Sequence, residues 1–371
     1  VRILIAAGGT GGHLLPGVAV AREMRTRGHR VHFVVRADKT SQAFLSREGF
    51  ASSAFHFSGF PRSVSPVILF YPFSAAAAWL SARRVLKRER PDVVLGMGGY
   101  ISVPVGLAAA YGKIPLVLHE QNARAGLANR FLSRWARAVG VTFEPTEGLN
   151  PRCPVVRTGL PLRPDLVPRD PAEARRSIEL DPDNMTVLVF GGSQGARALN
   201  RLVTRSLPVL ESMKGRWQFI HLTGEAEFAS VKASYRTHGW RAFVRSFWPD
   251  MATLYSAADF VVARSGANTV MELARMGRRA IVVPYPHATD DHQAVNARYL
   301  EAQGLAHVIR EEDLTETAFQ KILRELPPKE VLREEAARRA GTFLSSADAP
   351  AKLAELVEKM ATPPQDEPKK S

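Results

Sequence analysis

Cysteine is all but missing from this sequence, with Cys153 standing alone among 371 residues. A single thiol excludes a disulfide framework and a cysteine-held zinc site, and it fits a reducing compartment. Acidic residues are scarce in one half only. Residues 1–160 carry 21 Lys and Arg against 8 Asp and Glu, whereas the remainder balances at 29 against 28, so almost all of the net charge of +14 lies in the first half. Such a half suits a polyanionic ligand or an anionic membrane surface; no nucleic-acid motif accompanies it, and nucleic acid is not an expected partner. No basic leader or cleavage site precedes the apolar start Val1–Ile5, so no secretory signal is expected. A clean membrane span is lacking too. The charge-free stretch 63–82, SVSPVILFYPFSAAAAWLSA, is broken by Pro66 and Pro72 and diluted by serine and alanine, short of the roughly 20 predominantly apolar residues a bilayer demands.

Glycine, by contrast, is concentrated. AAGGTGGHLLPG, residues 6–17, follows a β-branched run that reads as a strand buried on both faces and precedes helical spacing over Val18–Met24. A strand-to-helix turn of bare backbone at a helix start is a phosphate site in outline. The dinucleotide fingerprint fails on its spacing, because the third glycine is replaced by Leu14; this counts against a nicotinamide enzyme. Thr10 and His13 inside the loop point to chemistry, the alternative being a glycine turn with a surface histidine.

The strand, loop, helix pattern recurs at 92–110, 115–133, 186–203 and 259–277. This alternation predicts an α/β chain of two doubly wound Rossmann-like domains facing a cleft, with ligands at the carboxyl ends of the strands. The prolines of RTGLPLRPDLVPRDPAE, 157–173, mark the junction. Domains are expected over 1–160 and 161–345, with a last helix at about 347–360 packing back on the first and a disordered tail over 361–371. The apolar Ile68, Leu69, Phe70, Phe73, Trp79 and Leu80, followed by Arg83, Arg84, Lys87 and Arg88, describe a monotopic contact with an anionic membrane, or alternatively a core helix with a solvated basic end.

In the second half GGSQGAR, 191–197, can hold a phosphate through its amides and Ser193. RSGANTVMELARMG, 264–277, places Glu272 where a carboxylate can accept both ribose hydroxyls, unless it merely complements the helix dipole. PHATDDHQAVNA, 286–297, groups His287, Asp290, Asp291, His292 and Gln293 for a sugar or, alternatively, for a metal; the DxD spacing of many metal-dependent sites is absent.

Six motifs in this order, GGTGGHLLPG, GMGGYISVP, HEQNARAGLANR, GGSQGARALN, RSGANTVMELA and DDHQAVNA, together resemble the MurG family of peptidoglycan N-acetylglucosaminyltransferases, GT-B enzymes of glycosyltransferase family 28. The resemblance implies inverting transfer of N-acetylglucosamine from UDP-N-acetylglucosamine (UDP-GlcNAc) to the 4-hydroxyl of MurNAc in undecaprenyl-pyrophosphoryl-MurNAc-pentapeptide, by a peripheral protein at the cytoplasmic face of the bacterial cell membrane. It also implies other cell-wall synthesis proteins as partners and no required cofactor or metal. For the donor it implies Phe247 and Trp248 near uracil, Glu272 on ribose, Arg163, Ser193 and Gln194 near the phosphates, Arg264, Ala267, Asn268 and Thr269 along the loop between, and His292 and Gln293 on the sugar. Thr10, Gly11, Gly12 and Asn122 are assigned to the donor as well. The acceptor diphosphate would meet Gly8, Gly9, Thr10, Gly11, Gly12, Gly98, Gly99 and Tyr100. Inversion needs a base, and His13 is the candidate, its ordinary pKa of about 6.5 suiting that task; a structural His13 bonding across the loop is the alternative. A sister glycosyltransferase with another lipid or polyketide acceptor, a UDP-GlcNAc 2-epimerase and a non-catalytic sugar-nucleotide-binding membrane adaptor are the rivals.

Overall fold

The computed structural model describes residues 1–361 apart from 9, 10, 58, 60–66, 150, 193, 194 and 345–347; the side chains of 67–70, 289 and 341–344 also lie outside the description. The chain divides into two compact units, Val1–Arg163 with the segment from Asp348 onward, and Pro164–Ala347.

The first unit is built on seven strands: β1 (Arg2–Ala6), β2 (Arg30–Arg36), β3 (Ala51–Phe55), β4 (Val93–Gly96), β5 (Leu116–Glu120), β6 (Ala138–Val141) and β7 (Val155–Arg157). All pair in parallel, in the order β3-β2-β1-β4-β5-β6-β7. Burial on both faces follows from the alternation of side chains along each strand. On one face Ile3 and Ile5 meet Val18, Val20 and Met24 of the helix Gly11–Thr26, together with Leu353, Ala354 and Val357 of the helix Ala349–Ala361. On the other face Leu4, Ala6 and Val94 meet Ala78, Ala82, Val85 and Leu86 of the helix Val67–Glu89 and Ile101 and Val105 beside it.

The second unit repeats the plan with β8 (Met185–Phe190), β9 (Trp217–Leu222), β10 (Ala242–Arg245), β11 (Phe260–Ala263), β12 (Ala280–Val282) and β13 (Ala306–Val308), parallel throughout in the order β10-β9-β8-β11-β12-β13. Its core joins Val187, Val189, Phe219, Phe260 and Ile281 to Leu199 and Val203 of the helix Arg197–Ser206.

These orders position the loops. In each sheet the direction of winding reverses beside the first strand of the unit, between β1 and β4 and between β8 and β11, and a crevice opens beyond the carboxyl ends of such a pair. The register Ala6 opposite Gly96 brings Gly8, after β1, beside the glycine loop at 96–100. Ala263 opposite Phe190 sets the ends of β11 and β8 side by side in the same way. No helix among the described residues is long and apolar enough to cross a membrane.

Candidate active site

Helical spacing suggests a helix from Val18, but the helix begins at Gly11, so Gly11, Gly12 and His13 form its first turn. The imidazole of His13 is half-buried and lies against the second glycine loop. A Cβ on Gly98 would stand 3.3 Å from His13 Cε1, and one on Gly99 would stand 3.2 Å from its Cδ2. Both glycines have positive φ, +90° and +73°, a backbone that side chains strain to adopt. These two glycines therefore admit the His13 ring, a role the sequence reading did not give them. The same reading gives Gly8 an anion-binding amide; here that amide donates to the carbonyl of Gly98 at 3.3 Å, and Gly8 itself lies against Gly99 Cα. Gly9 and Thr10 lie outside the described residues, and Tyr100 is half-buried with its ring 6.2 Å from that of Phe57.

The turn after β5 supplies the other wall. Glu120, 1% exposed, accepts from the amide and side chain of Asn122 at 3.0 and 3.1 Å, the amide of Gly126 at 3.0 Å and Asn129 Nδ2 at 2.8 Å. Asn122 thus braces the turn that holds Gln121. Gln121, buried, places Oε1 3.0 Å from His13 Nδ1 and donates through Nε2 to Met97 O at 2.8 Å. Behind it His119 is fully enclosed; burial pushes its pKa down to about 4, against the opposing hydrogen bond to Gly159 O. Gln121 and His119 belong to the HEQN stretch quoted from the sequence, but nothing local to it reveals that Gln121 bonds a residue 108 positions away or that His119 bonds the carbonyl of Gly159.

The helix Val67–Glu89 has one face in the core. Its outward stripe runs through Phe73, Ala77, Leu80, Arg84 and Lys87, apolar first and basic last, all exposed. Trp79 and Arg83, expected to face lipid, are engaged within the protein: Trp79 packs edge-on to Tyr111 at 5.5 Å and the Arg83 guanidinium lies over both rings. Arg88 is likewise directed to Glu89 and to Ser53 Oγ. The side chains of Ile68, Leu69 and Phe70 lie outside the described residues.

In the second unit Gly195 has φ +74°, and a Cβ there would strike Thr223 O at 2.1 Å, so the loop after β8 can turn only on glycine. Ser193 and Gln194 fall outside the described residues. The loop after β11 leads from Ser265, buried and donating to Gln293 O at 2.8 Å, into the helix Ala267–Met276. Ala267, Asn268 and Thr269 form the half-buried first turn of that helix. Glu272, one turn on, is half-buried and accepts from Tyr255 Oη at 2.9 Å. Tyr255, just ahead of the 259–277 stretch and outside every motif, went unread in the sequence. Arg264 was expected to line the loop; instead it turns inward, donating to the carbonyls of Val283 and Pro284, pairing with Glu311 and lying over the ring of Tyr285. It braces the segment that carries Gln293, whose Oε1 accepts from the Tyr285 amide at 2.9 Å. His292 opens the helix His292–Ala302 after Asp290 and Asp291, both in the left-handed region at φ +52°. Among the described residues no group of three or more His, Cys, Asp or Glu could hold a metal ion. Phe247 is 62% exposed, and Trp248 packs edge-on to Phe243 at 5.1 Å. Arg163, half-buried, ends the first unit.

Comparison with known proteins identifies the family. Residues 3–141 match the glycosyltransferase family 28 N-terminal domain and residues 186–349 its C-terminal domain. A UDP-N-acetylglucosamine–N-acetylmuramyl-(pentapeptide) pyrophosphoryl-undecaprenol N-acetylglucosamine transferase of Myxococcus xanthus is 38% identical over 96% of this chain and 92% of its own length. A protein of the same name from Burkholderia multivorans is 41% identical over 84% of each. The crystal structure of Acinetobacter baumannii MurG superposes with a TM-score of 0.75 at 30% identity, covering 96% of this chain and 99% of the other. The chain belongs to the MurG family. Within that family's two-domain α/β architecture, the glycine loops picked out in the sequence are the loops at the two switch points.

Proposed function

We propose that this chain transfers N-acetylglucosamine, with inversion, from UDP-GlcNAc to the 4-hydroxyl of MurNAc in undecaprenyl-pyrophosphoryl-MurNAc-pentapeptide. The observation that carries the reading is His13: its ring is seated on Gly98 and Gly99 at the switch point of the first sheet, with Nδ1 at 3.0 Å from a buried amide. In this scheme His13 is the base. Its Nε2 takes the acceptor hydroxyl proton, the new bond forms to the anomeric carbon, and the bond to the diphosphate breaks with its electron pair leaving on UDP. The starts of the helices Arg197–Ser206 and Ala267–Met276 favour negative charge, each offering about half a unit of positive charge, and they serve the departing diphosphate without a resident cofactor. The donor falls to Glu272, Asn268, Thr269, His292, Gln293, Phe247, Trp248, Ser193 and Gln194 of the second unit, and to Arg163. The acceptor diphosphate falls to Gly11 and Gly12 at the start of the first helix, with Gly9, Thr10 and Tyr100. The stripe Phe73, Leu80, Arg84 and Lys87 rests on the anionic cytoplasmic face of the bacterial membrane, where other cell-wall synthesis proteins are partners.

The test incubates the full chain with labelled UDP-GlcNAc and a short-chain lipid-linked muramoyl pentapeptide. Disaccharide product is expected, at a rate EDTA leaves unchanged, and His13→Ala should lower turnover by about 10²–10⁴-fold. Absence of product, or preference for a diacylglycerol acceptor in competition, would overturn the substrate assignment. Near-normal turnover by His13→Ala would remove the base.

A further inference from the structure

A neutral imidazole can act as a base only through the nitrogen that lacks a proton, and a hydrogen bond to the other nitrogen decides which one that is. Around His13 the backbone settles the question. Met97 O can only accept, so the Gln121 atom 2.8 Å from it is the amide nitrogen Nε2. The same nitrogen lies 3.1 Å from His119 Nδ1 and 3.2 Å from His119 O. His119 Nε2 in turn lies 2.9 Å from Gly159 O, which fixes that nitrogen as the protonated one. His119 Nδ1 therefore carries a lone pair and shares the second amide hydrogen of Gln121 with His119 O. With both hydrogens assigned, Oε1 is the atom facing His13 Nδ1 at 3.0 Å. A carboxamide oxygen only accepts. His13 Nδ1 must donate, and the lone pair of the neutral ring falls on Nε2.

We propose that Gln121 and His119 are positioning residues which, through this ordered chain from Gly159 O, hold His13 in the Nδ1–H tautomer and so place the proton-accepting lone pair on Nε2. The proposal rests on the reading of His13 as the base. Free histidine in water favours the opposite tautomer, so without the chain most neutral rings would carry a proton on the nitrogen that has to accept one. Burial supports the arrangement: Gln121 is 2% exposed and His119 fully buried, and the depressed pKa of His119 keeps its Nδ1 an acceptor at neutral pH. In the reaction the acceptor proton ends on Nε2 while Nδ1–H stays on Gln121. The amide takes up no proton, so its part is orientation and tautomer selection.

The experiment records long-range ¹H–¹⁵N spectra of the full chain with ¹⁵N-labelled histidine, the His13 signals being identified by their loss in His13→Asn. At pH 8 the wild type should show Nδ1 as the protonated, pyrrole-type nitrogen and Nε2 as the pyridine-type nitrogen. Gln121→Met, close in length but unable to accept, should move His13 toward the Nε2–H form. It should also lower kcat tenfold or more with both KM values unchanged. Gln121→Glu, which keeps an acceptor on Nδ1–H, should retain the wild-type tautomer. An Nε2–H wild-type ring overturns the proposal, as does a Gln121→Met chain with unaltered tautomer and kcat. Should Gln121→Met fail to fold, the wild-type spectrum decides. The spectrum does not depend on turnover, so failure here is distinguishable from failure of the base assignment, which His13→Ala turnover reads.

Discussion

Adding a single methyl group to Gly99 would press it against the imidazole of His13. Gly99→Ala would set its Cβ 3.2 Å from His13 Cδ2 on a backbone at φ +73°, a region that costs an alanine roughly 1–2 kcal/mol. The expected outcome is a lower kcat with little change in the KM for donor, checked by steady-state kinetics beside a melting curve. Glu272 sits in a different unit and predicts a different signature. Its carboxylate accepts from Tyr255 at 2.9 Å, and hydrogen bonds to charged groups contribute about 1.5–3 kcal/mol. Glu272→Gln should therefore raise the KM for UDP-GlcNAc about tenfold and leave that for the lipid acceptor alone; titration of the donor at saturating acceptor checks it. Both residues stand in motifs visible in the sequence. What the sequence could not supply is their partners, because the imidazole against Gly99 comes from His13 on a different strand-to-helix turn and Tyr255 lies outside every motif.

At the scale of elements, two helices carry the argument. The helix Val67–Glu89 buries Ala78, Ala82, Val85 and Leu86 and turns Phe73, Leu80, Arg84 and Lys87 outward, so its residues divide by face between core and surface. Basic residues near an anionic membrane are worth about 1 kcal/mol each. Arg84→Glu with Lys87→Glu should weaken co-sedimentation with phosphatidylglycerol vesicles more than tenfold while turnover of a soluble short-chain acceptor is kept; unchanged sedimentation would remove the membrane role from this stripe. The helix Ala349–Ala361 closes one face of the first sheet, with Leu353 fully buried against Gly140 on β6. Leu353→Ala should destabilise the first unit by about 2–5 kcal/mol, seen as lost amide protection over residues 1–163 with the second unit's protection intact. Arg27 and His29 tie the same helix through Glu358, at 3.1 and 2.7 Å.

For the molecule as a whole, each unit carries one fully buried neutral histidine, and this sets how stability responds to acid. His119 has a pKa of about 4 and His221 about 3, both lowered by burial from 6.5. In the unfolded chain each takes a proton near pH 6.5, in the folded chain only far below it. The stabilisation is thus complete above pH 6.5 and is lost as pH falls toward the folded values, by about 1.4 kcal/mol per unit per histidine. Urea unfolding should lose roughly 2 kcal/mol for each unit between pH 6.5 and pH 5, and His221→Asn should flatten that slope for the second unit alone; an unflattened slope would contradict it. The sequence by itself determined that the chain is two wound α/β halves with glycine loops at strand ends, because a β-branched run, bare glycines and a helix start form a local pattern that needs no distant partner. It also located the basic excess in one half. Only the tertiary structure decided that Gly98 and Gly99 hold an imidazole, that Arg264 turns inward, and that Gln121 faces His13. The two that concern His13 depend on strand order, which sets β4 beside β1 from across some ninety residues and β5 beside β4, and neither local propensity nor spacing encodes which distant loops become neighbours.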